Sequence, residues 1–243
     1  MKSEKIKVVL CGAAGKMGCA VIDCFHAAED VEVRYGIEKK GHPEVGSALE
    51  GVPIVSDISS AMEDADCLVD FSSPAFTDEL VKMSDERGKP LVVGTTDLSG
   101  ETLGLIENVS ERIGIVLSPN MSPAMNVLFR IVPDVARALE KGFDVSIVET
   151  HHRWKKDSPS GTARKLMRIL KDAGSKDPQV RSLRMGEIIG EHVLTFAGEG
   201  ETLKIGHCAQ SRGAFASGAL LAVRFVVKAN PGLYDMFDVL RLR

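Results

Sequence analysis

Apolar residues fall in short unbroken runs through the first half of the chain. KIKVVLCG, from Lys5 to Gly12, reads as a strand apolar on both faces, and similar runs recur as VEVRYGIE, VPIVS, CLVDFS, PLVVGTT and GIVLSP up to about Pro119. Runs of this kind suit parallel sheets covered on both sides. Stretches with helical spacing, such as PAFTDELVKMSDERG, separate them, so the alternation predicts a doubly wound parallel sheet of the α/β class. SPAMNVLFRIVPDVARALEKG then reads as one long helix, and the pattern changes. FDVSIVETHH, SLRMGEIIG, EHVLTFAGEG and ETLKIGHCAQ predict strands with a single helix among them, as in an α+β sheet. That helix, ARKLMRILKDAG, carries Leu166, Met167 and Leu170 on one stripe and stops at Gly174. A last helix, AFASGALLAVRFVVKA, ends before Pro231 and Gly232, and no repeat or low-complexity linker interrupts the order.

Two places along this pattern carry chemistry. After the first strand comes the turn Gly12, Ala13, Ala14, Gly15, Lys16, Met17, Gly18, with glycines three apart, and the next strand closes on Glu38, twenty residues beyond Gly18. Strand, glycine turn, helix, strand and acid in that order form a dinucleotide-binding βαβ unit. The glycines let the turn approach a pyrophosphate, the helix N-terminus faces it, and the acid takes ribose hydroxyls. Ala14 stands where the usual GxGxxG has its second glycine. Lys39 and Lys40 follow Glu38 and read either as a solvated surface turn or, for Lys39, as a contact to a 2′-phosphate.

The second place is ETHHRWKKDSPSGT, Glu149 to Thr162. On a strand, side chains two apart share a face, so Glu149 and His151 point one way and Thr150 and His152 the other. Pro159, Ser160, Gly161 and Thr162 then open a helix whose first amides lack partners, a seat for a carboxylate or phosphate, with Lys155 and Lys156 beside it. Each residue also has an ordinary reading: Ser160 as an N-cap, RWKK as a solvated loop, a strand histidine as a core residue. Their concentration in fourteen positions favours a site.

Composition removes other classes. The 243 residues carry 30 basic and 34 acidic side chains, a net charge of −4, which argues against a nucleic-acid partner. No apolar run is long enough to cross a bilayer and no leader pattern opens the chain, so a soluble, cytoplasmic protein with no membrane partner is expected. The five cysteines are scattered without a CxxC pair and read as reduced residues, neither disulfide framework nor metal site.

Together the two ends resemble the 4-hydroxy-tetrahydrodipicolinate reductase (dihydrodipicolinate reductase) family of diaminopimelate and lysine biosynthesis, over nearly the whole chain. The family string E-x-H-H-x-x-K-x-D-x-P-S-G-T is present as Glu149, His151, His152, Lys155, Asp157, Pro159, Ser160, Gly161 and Thr162. GAAGKMG, DFSSP at Asp70 to Pro74, VGTT at Val93 to Thr96, SPNMS at Ser118 to Ser122, GEHVLTFAGEGE, SRGAFASGAL and GLYDMFDVL extend the likeness.

The resemblance implies a Rossmann-type dinucleotide domain, discontinuous over 1–122 and 213–243, and a smaller α+β domain with a mixed sheet over 123–212 for substrate binding and oligomerisation as a homotetramer. It implies NADH and NADPH as cofactors of an oxidoreductase acting on a small dicarboxylate. Cofactor contacts fall to Gly12, Ala13, Ala14, Gly15, Lys16 and Met17 of the glycine turn with Glu38 and Lys39, and to Gly94, Thr95, Thr96, Ser118, Pro119, Asn120 and Met121. His151 is the implied proton donor, with Lys155 as second donor or electrostatic stabiliser. His152, Thr162 and the amides of Ser160 and Gly161 are the implied holders of a substrate carboxylate. Two departures stand out: Asp97 where the family continues GTT with glycine, and Pro123 with Ala124 where it has a flexible link. Another Rossmann-type reductase, such as a semialdehyde or sugar dehydrogenase, or a non-catalytic nucleotide sensor, would share the glycine turn without the histidine string.

Overall fold

The computed structural model describes residues 4–139 and 141–243. Residues 1–3, which the sequence reading places in the first domain, and Glu140, which it places in the long helix, lie outside the described residues. The elements in chain order are β1 (Ile6–Cys11), α1 (Lys16–His26), β2 (Val31–Ile37), β3 (Ala48–Leu49), β4 (Val52–Val55), α2 (Ile58–Glu63), β5 (Cys67–Asp70), α3 (Pro74–Arg87), β6 (Leu91–Val93), α4 (Gly100–Ser110) and β7 (Gly114–Leu117). They continue with α5 (Pro123–Ala138), β8 (Asp144–His151), α6 (Gly161–Asp172), β9 (Gln179–Arg184), β10 (Gly190–Ala197), β11 (Thr202–Ala209), α7 (Gly213–Val226), β12 (Gly232–Tyr234) and α8 (Met236–Val239). The chain divides into two compact units, one of residues 4–122 with Phe215–Arg241 and Arg243, the other of Pro123–Ala214 with Leu242.

In the first unit the sheet order is β12-β7-β6-β5-β1-β2-β4-β3, parallel throughout except for the short β3–β4 pair. Side chains alternate between faces along each strand. Val8 and Leu10 join a core with Val21, Ile22 and Phe25 of α1 and with Ala219 and Val223 of α7. Val9 and Cys11 join another with Met62 of α2, Leu80 of α3 and Ile106 of α4. Helices thus cover both faces, as the unbroken apolar runs require. From central β1 the chain moves outward through β2 and β4, then returns to β5 on the other side. The switch between β1 and β5 opens a crevice at the strands' carboxyl ends, where α/β sheets bind ligands.

In the second unit the four-stranded sheet runs β11-β10-β8-β9, with antiparallel pairs β11–β10 and β10–β8 and a parallel pair β8–β9. Helix α5 buries Met125, Leu128, Phe129, Val132 and Ala136 at helical spacing, with Pro133 inside it, and α6 buries Ala163, Leu166 and Leu170. On the sheet, Ile147, Leu194 and Phe196 are fully buried.

The structure differs from the sequence reading in detail. The strand expected over SLRMGEIIG lies earlier, at Gln179–Arg184, because the chain turns at Met185 and Gly186, where φ of Gly186 is +48°. PLVVGTT is strand only to Val93. Strands β3 and β12, two and three residues long, escaped the pattern because no period can be read over so few positions.

Candidate functional site

The crevice of the first unit begins at Gly12, whose φ is +77°; a Cβ there would lie 2.4 Å from the carbonyl oxygen of Phe71, the residue following β5. Only glycine allows that backbone approach. The chain then enters α1 through Gly15, the N-cap, so Lys16 and Met17 form its first turn. Glu38 follows the last residue of β2, and its Oε1 accepts the Ala14 amide at 2.9 Å. The acid is therefore tied to the glycine turn, and its other oxygen makes no hydrogen bond among the described residues. Gly12, Ala14, Gly15, Glu38, Lys39, Lys40 and His42 line one cavity of about 690 Å³ with Ser72 and Ser73. Ala13 is fully buried beneath the turn.

A second cavity of about 390 Å³ in the same unit gathers Met17, Gly94, Thr95, Thr96, Ser118, Pro119, Asn120 and Met121, together with Phe71, Asp97 and Phe215. Buried Asp70 holds its wall. Its carboxylate accepts the Ser72 amide at 3.0 Å, the Ser72 hydroxyl and, at 2.6 Å, the Thr77 hydroxyl. Asn120 accepts the Ser122 amide at 3.0 Å, and Gly218 of α7 lies so close to Met121 that a Cβ would meet its carbonyl at 1.7 Å. The two cavities bring together the sequence-predicted cofactor residues other than Ala13 and Lys16. A pyrophosphate against the glycine turn and hydroxyls against Glu38 fit this shape; Phe71 and Phe215, which lie in the strings DFSSP and SRGAFASGAL, line the second cavity although their spacing assigns them no role.

In the second unit the register pairs Glu149 with His192 and Ser182, and His151 with Arg184, so all these side chains share one face of the sheet. Glu149 is fully buried. Its Oε1 accepts the Ser160 amide at 3.2 Å and Arg184 Nη2 at 3.0 Å; Oε2 accepts Arg184 Nη1 at 3.1 Å and meets His151 Nδ1. The Ser160 hydroxyl accepts the Ala163 amide at 3.1 Å as the N-cap of α6 and lies 3.1 Å from His192 Nε2. The rings of His151 and His192 meet edge to face with centroids 5.2 Å apart.

Burial works against ionisation of Glu149, but hydrogen bonds from Arg184, Ser182 and His151 outweigh it and hold the carboxyl at about 2. Burial pulls the His151 imidazole below its ordinary value, against the opposing pull of Glu149. Burial, with the neighbouring His151, takes His192 down to about 3, so that ring is neutral. Glu149, His151 and His192 offer ligand atoms within 4.8 Å of one another, as a metal site would. The Arg184 guanidinium already occupies both Glu149 oxygens, however, and repels a cation.

Other members of the string stand nearby in the chain. Lys155 pairs with Asp157, Nζ to Oδ1 2.8 Å. Strand β8 ends at His151, so His152 lies beyond it; its Nδ1 is buried without a hydrogen-bond partner among the described residues, and its ring lies 6.0 Å from that of Trp154. Gly161 and Thr162 form the first turn of α6. One expectation needs correcting: the Ser160 amide does not point to an open anion seat, because Glu149 takes it. Arg184 and His192 had no role in the sequence reading. An arginine at an inward position of QVRSLR, two beyond Ser182, is the signal that could have found the first.

The family models described as "Dihydrodipicolinate reductase, N-terminus" and "Dihydrodipicolinate reductase, C-terminus" match residues 6–121 and 124–240. Among relatives, the 4-hydroxy-tetrahydrodipicolinate reductase of Citrifermentans bemidjiense is 36% identical over 98% of this chain and 100% of its own. That of Nitrosomonas europaea is 38% identical over 98% and 99%. A dipicolinate-bound dihydrodipicolinate reductase from Paenisporosarcina sp. TG-14 shares the fold, with a TM-score of 0.82 at 22% identity over 96% of this chain and 98% of that one.

Proposed function

The chain belongs to the dihydrodipicolinate reductase family, and from that premise we propose that it reduces 4-hydroxy-tetrahydrodipicolinate to tetrahydrodipicolinate with His151 as proton donor. The readings as a sugar or semialdehyde dehydrogenase, or as a nucleotide sensor, give way to this one. The net change adds one hydride and one proton to the substrate ring and releases water. A reduced nicotinamide, when bound, supplies the hydride. Gly12, Gly15 and the α1 N-terminus hold the pyrophosphate, Glu38 the adenosine ribose, and the loops Gly94–Thr96 and 118–121 the nicotinamide half.

The observation that carries the proton-donor role is the seat of His151. Its Nδ1 is engaged by ionised Glu149, so Nε2 is the nitrogen that gives and takes a proton. Burial weakens its hold on that proton while the ionised Glu149 opposes the fall, so Glu149 helps the ring keep a proton to deliver. Lys155 stabilises the negative charge that hydride addition leaves on the ring. Gly161, Thr162 and His152 bind a substrate carboxylate at the α6 N-terminus, Ser160 serving from beneath as cap.

Both NADH and NADPH serve as cofactors, since Glu38 favours free ribose hydroxyls while Lys39 attracts a 2′-phosphate. A reductase that consumes them works where they are regenerated, in the cytoplasm. We assign the dinucleotide role to 1–122 with 213–243 and the substrate and assembly role to 123–212. The homotetramer forms through the outward face of the mixed sheet, where Leu183 is 45% exposed and Met185, just beyond it, 55%. Mixing the protein with NADPH and enzymatically generated substrate tests the reaction. Loss of reduced-nicotinamide absorbance that depends on substrate is the expected result; its absence with both cofactors would refute the reading.

A further inference from the structure

Glu149 is an unusual side chain to bury completely. An ionised carboxylate away from water is costly unless paired and fully hydrogen-bonded. Here both oxygens are gripped by Arg184, one also accepts the Ser160 amide, and the other faces His151 Nδ1. An ionised carboxylate can only accept hydrogen bonds, so His151 Nδ1 must carry a hydrogen in both its neutral and its charged form. The other tautomer would set two lone pairs against each other. On the far side of the ring stands Gly190, where a Cβ would lie 3.1 Å from His151 Nε2 and 3.4 Å from Cδ2. The same Arg184 donates through Nη2 to the Asp157 carbonyl at 2.6 Å, and Asp157 is the partner of Lys155.

We propose that Glu149, clamped by Arg184, and Gly190 are positioning residues for His151: the first fixes the ring by Nδ1 and the second keeps open the space that Nε2 needs to transfer its proton. This rests on His151 being the proton donor. Arg184 also neutralises Glu149, so the pair orients His151 without trapping it as a permanent imidazolium. Because Arg184 holds the Asp157 backbone as well, one guanidinium sets the ring of the donor and the loop that carries Lys155.

The test compares wild type, Glu149→Gln, Gly190→Ala and His151→Gln by kcat and KM for the substrate, by NADPH binding, and by nitrogen NMR of labelled histidine, which distinguishes the two tautomers. Wild type should show His151 with its hydrogen on Nδ1. Glu149→Gln should lose kcat by about 10²-fold, within the range general acid catalysis supplies, with a changed His151 tautomer signal and unchanged NADPH affinity. Gly190→Ala should lower kcat by about tenfold, shift the His151 resonances and leave its tautomer unchanged; it decides the matter if Glu149→Gln does not fold. Near-normal kcat with wild-type His151 resonances in a folded variant would overturn the proposal. If His151→Gln itself retains turnover, the donor assignment fails instead, an outcome distinct from loss in His151→Gln with none in the other two.

Discussion

The ammonium of Lys155 lies 2.8 Å from the carboxylate of Asp157, with the lysine more enclosed than its partner. The pair is open enough to water for its own contribution to stability to be small, about 0–1 kcal/mol. Lys155→Ala should therefore act through the substrate, removing a charged contact worth about 1.5–3 kcal/mol and lowering kcat/KM by roughly 10–100-fold. Asp157→Asn should change kcat/KM less than about fivefold. Steady-state kinetics of the two variants check the order; a larger loss for Asp157→Asn would make Asp157, and not Lys155, the group that matters.

On the proposed reading, Glu38 and Lys39 separate the two cofactors. Because Glu38 also holds the Ala14 amide, Glu38→Ala should weaken NADH binding twice over, by loosening the glycine turn and by losing the ribose contact, and NADPH binding less. Lys39→Ala should raise the KM for NADPH alone, by roughly fivefold for the loss of about 1 kcal/mol. Equal losses for both cofactors in Lys39→Ala would show that the lysine faces elsewhere.

Asp97 has a φ of +60°, the left-handed region in which glycine costs least and aspartate is tolerated. This gives a physical reason for the glycine usual at that place in the family. Asp97→Gly should leave the fold intact, shift stability by less than about 1 kcal/mol, and keep or tighten the affinity for a dianionic substrate by removing a like charge. Thermal melting and substrate KM measure both; a large loss of turnover would give Asp97 a role of its own.

Acid should destabilise the second unit. His151 and His192 have folded values below the ordinary 6.5 and Glu149 a folded value below 4.5, so the unfolded chain binds more protons than the folded one. The histidine contribution is complete above about pH 6.5 and is lost as pH falls toward about 3 for His192; that of Glu149 is present above about 4.5 and lost toward about 2. His151, Glu149, His207 and Lys155 are the charged or titratable groups acting on His192, and Lys155 and Arg184 act with Glu149 on His151. The melting temperature should fall between about pH 7 and 4, each extra proton costing about 1.4 kcal/mol per pH unit. His192→Gln should flatten that slope; an unchanged slope would mean that His192 is not held neutral by the fold.

The sequence showed the parts whose chemistry is local. The β1 turn was legible because the glycines, the helix start and Glu38 are fixed by a short βαβ unit, and the pairing of Glu149 with His151 follows from the two-residue period of a strand. Arg184 was not legible in the same way. Its place beside His151 depends on the parallel register of β8 with β9, a non-local pairing, and the local pattern puts the strand a few residues later, over SLRMGEIIG. Ser160 was read from its spacing as an N-cap or an anion seat; the structure keeps the cap and gives the amide to Glu149, a partner eleven residues back that no helix rule supplies.

The proposed reaction is a nicotinamide-dependent reduction of 4-hydroxy-tetrahydrodipicolinate in which His151 delivers the proton. Single-turnover oxidation of NADPH by wild type and His151→Gln, with NADPH affinity measured separately, tests it most directly. Wild type should show substrate-dependent oxidation, and His151→Gln equal NADPH affinity with turnover lower by about 10²–10⁴. No substrate-dependent oxidation by wild type, or full turnover by His151→Gln, would contradict it.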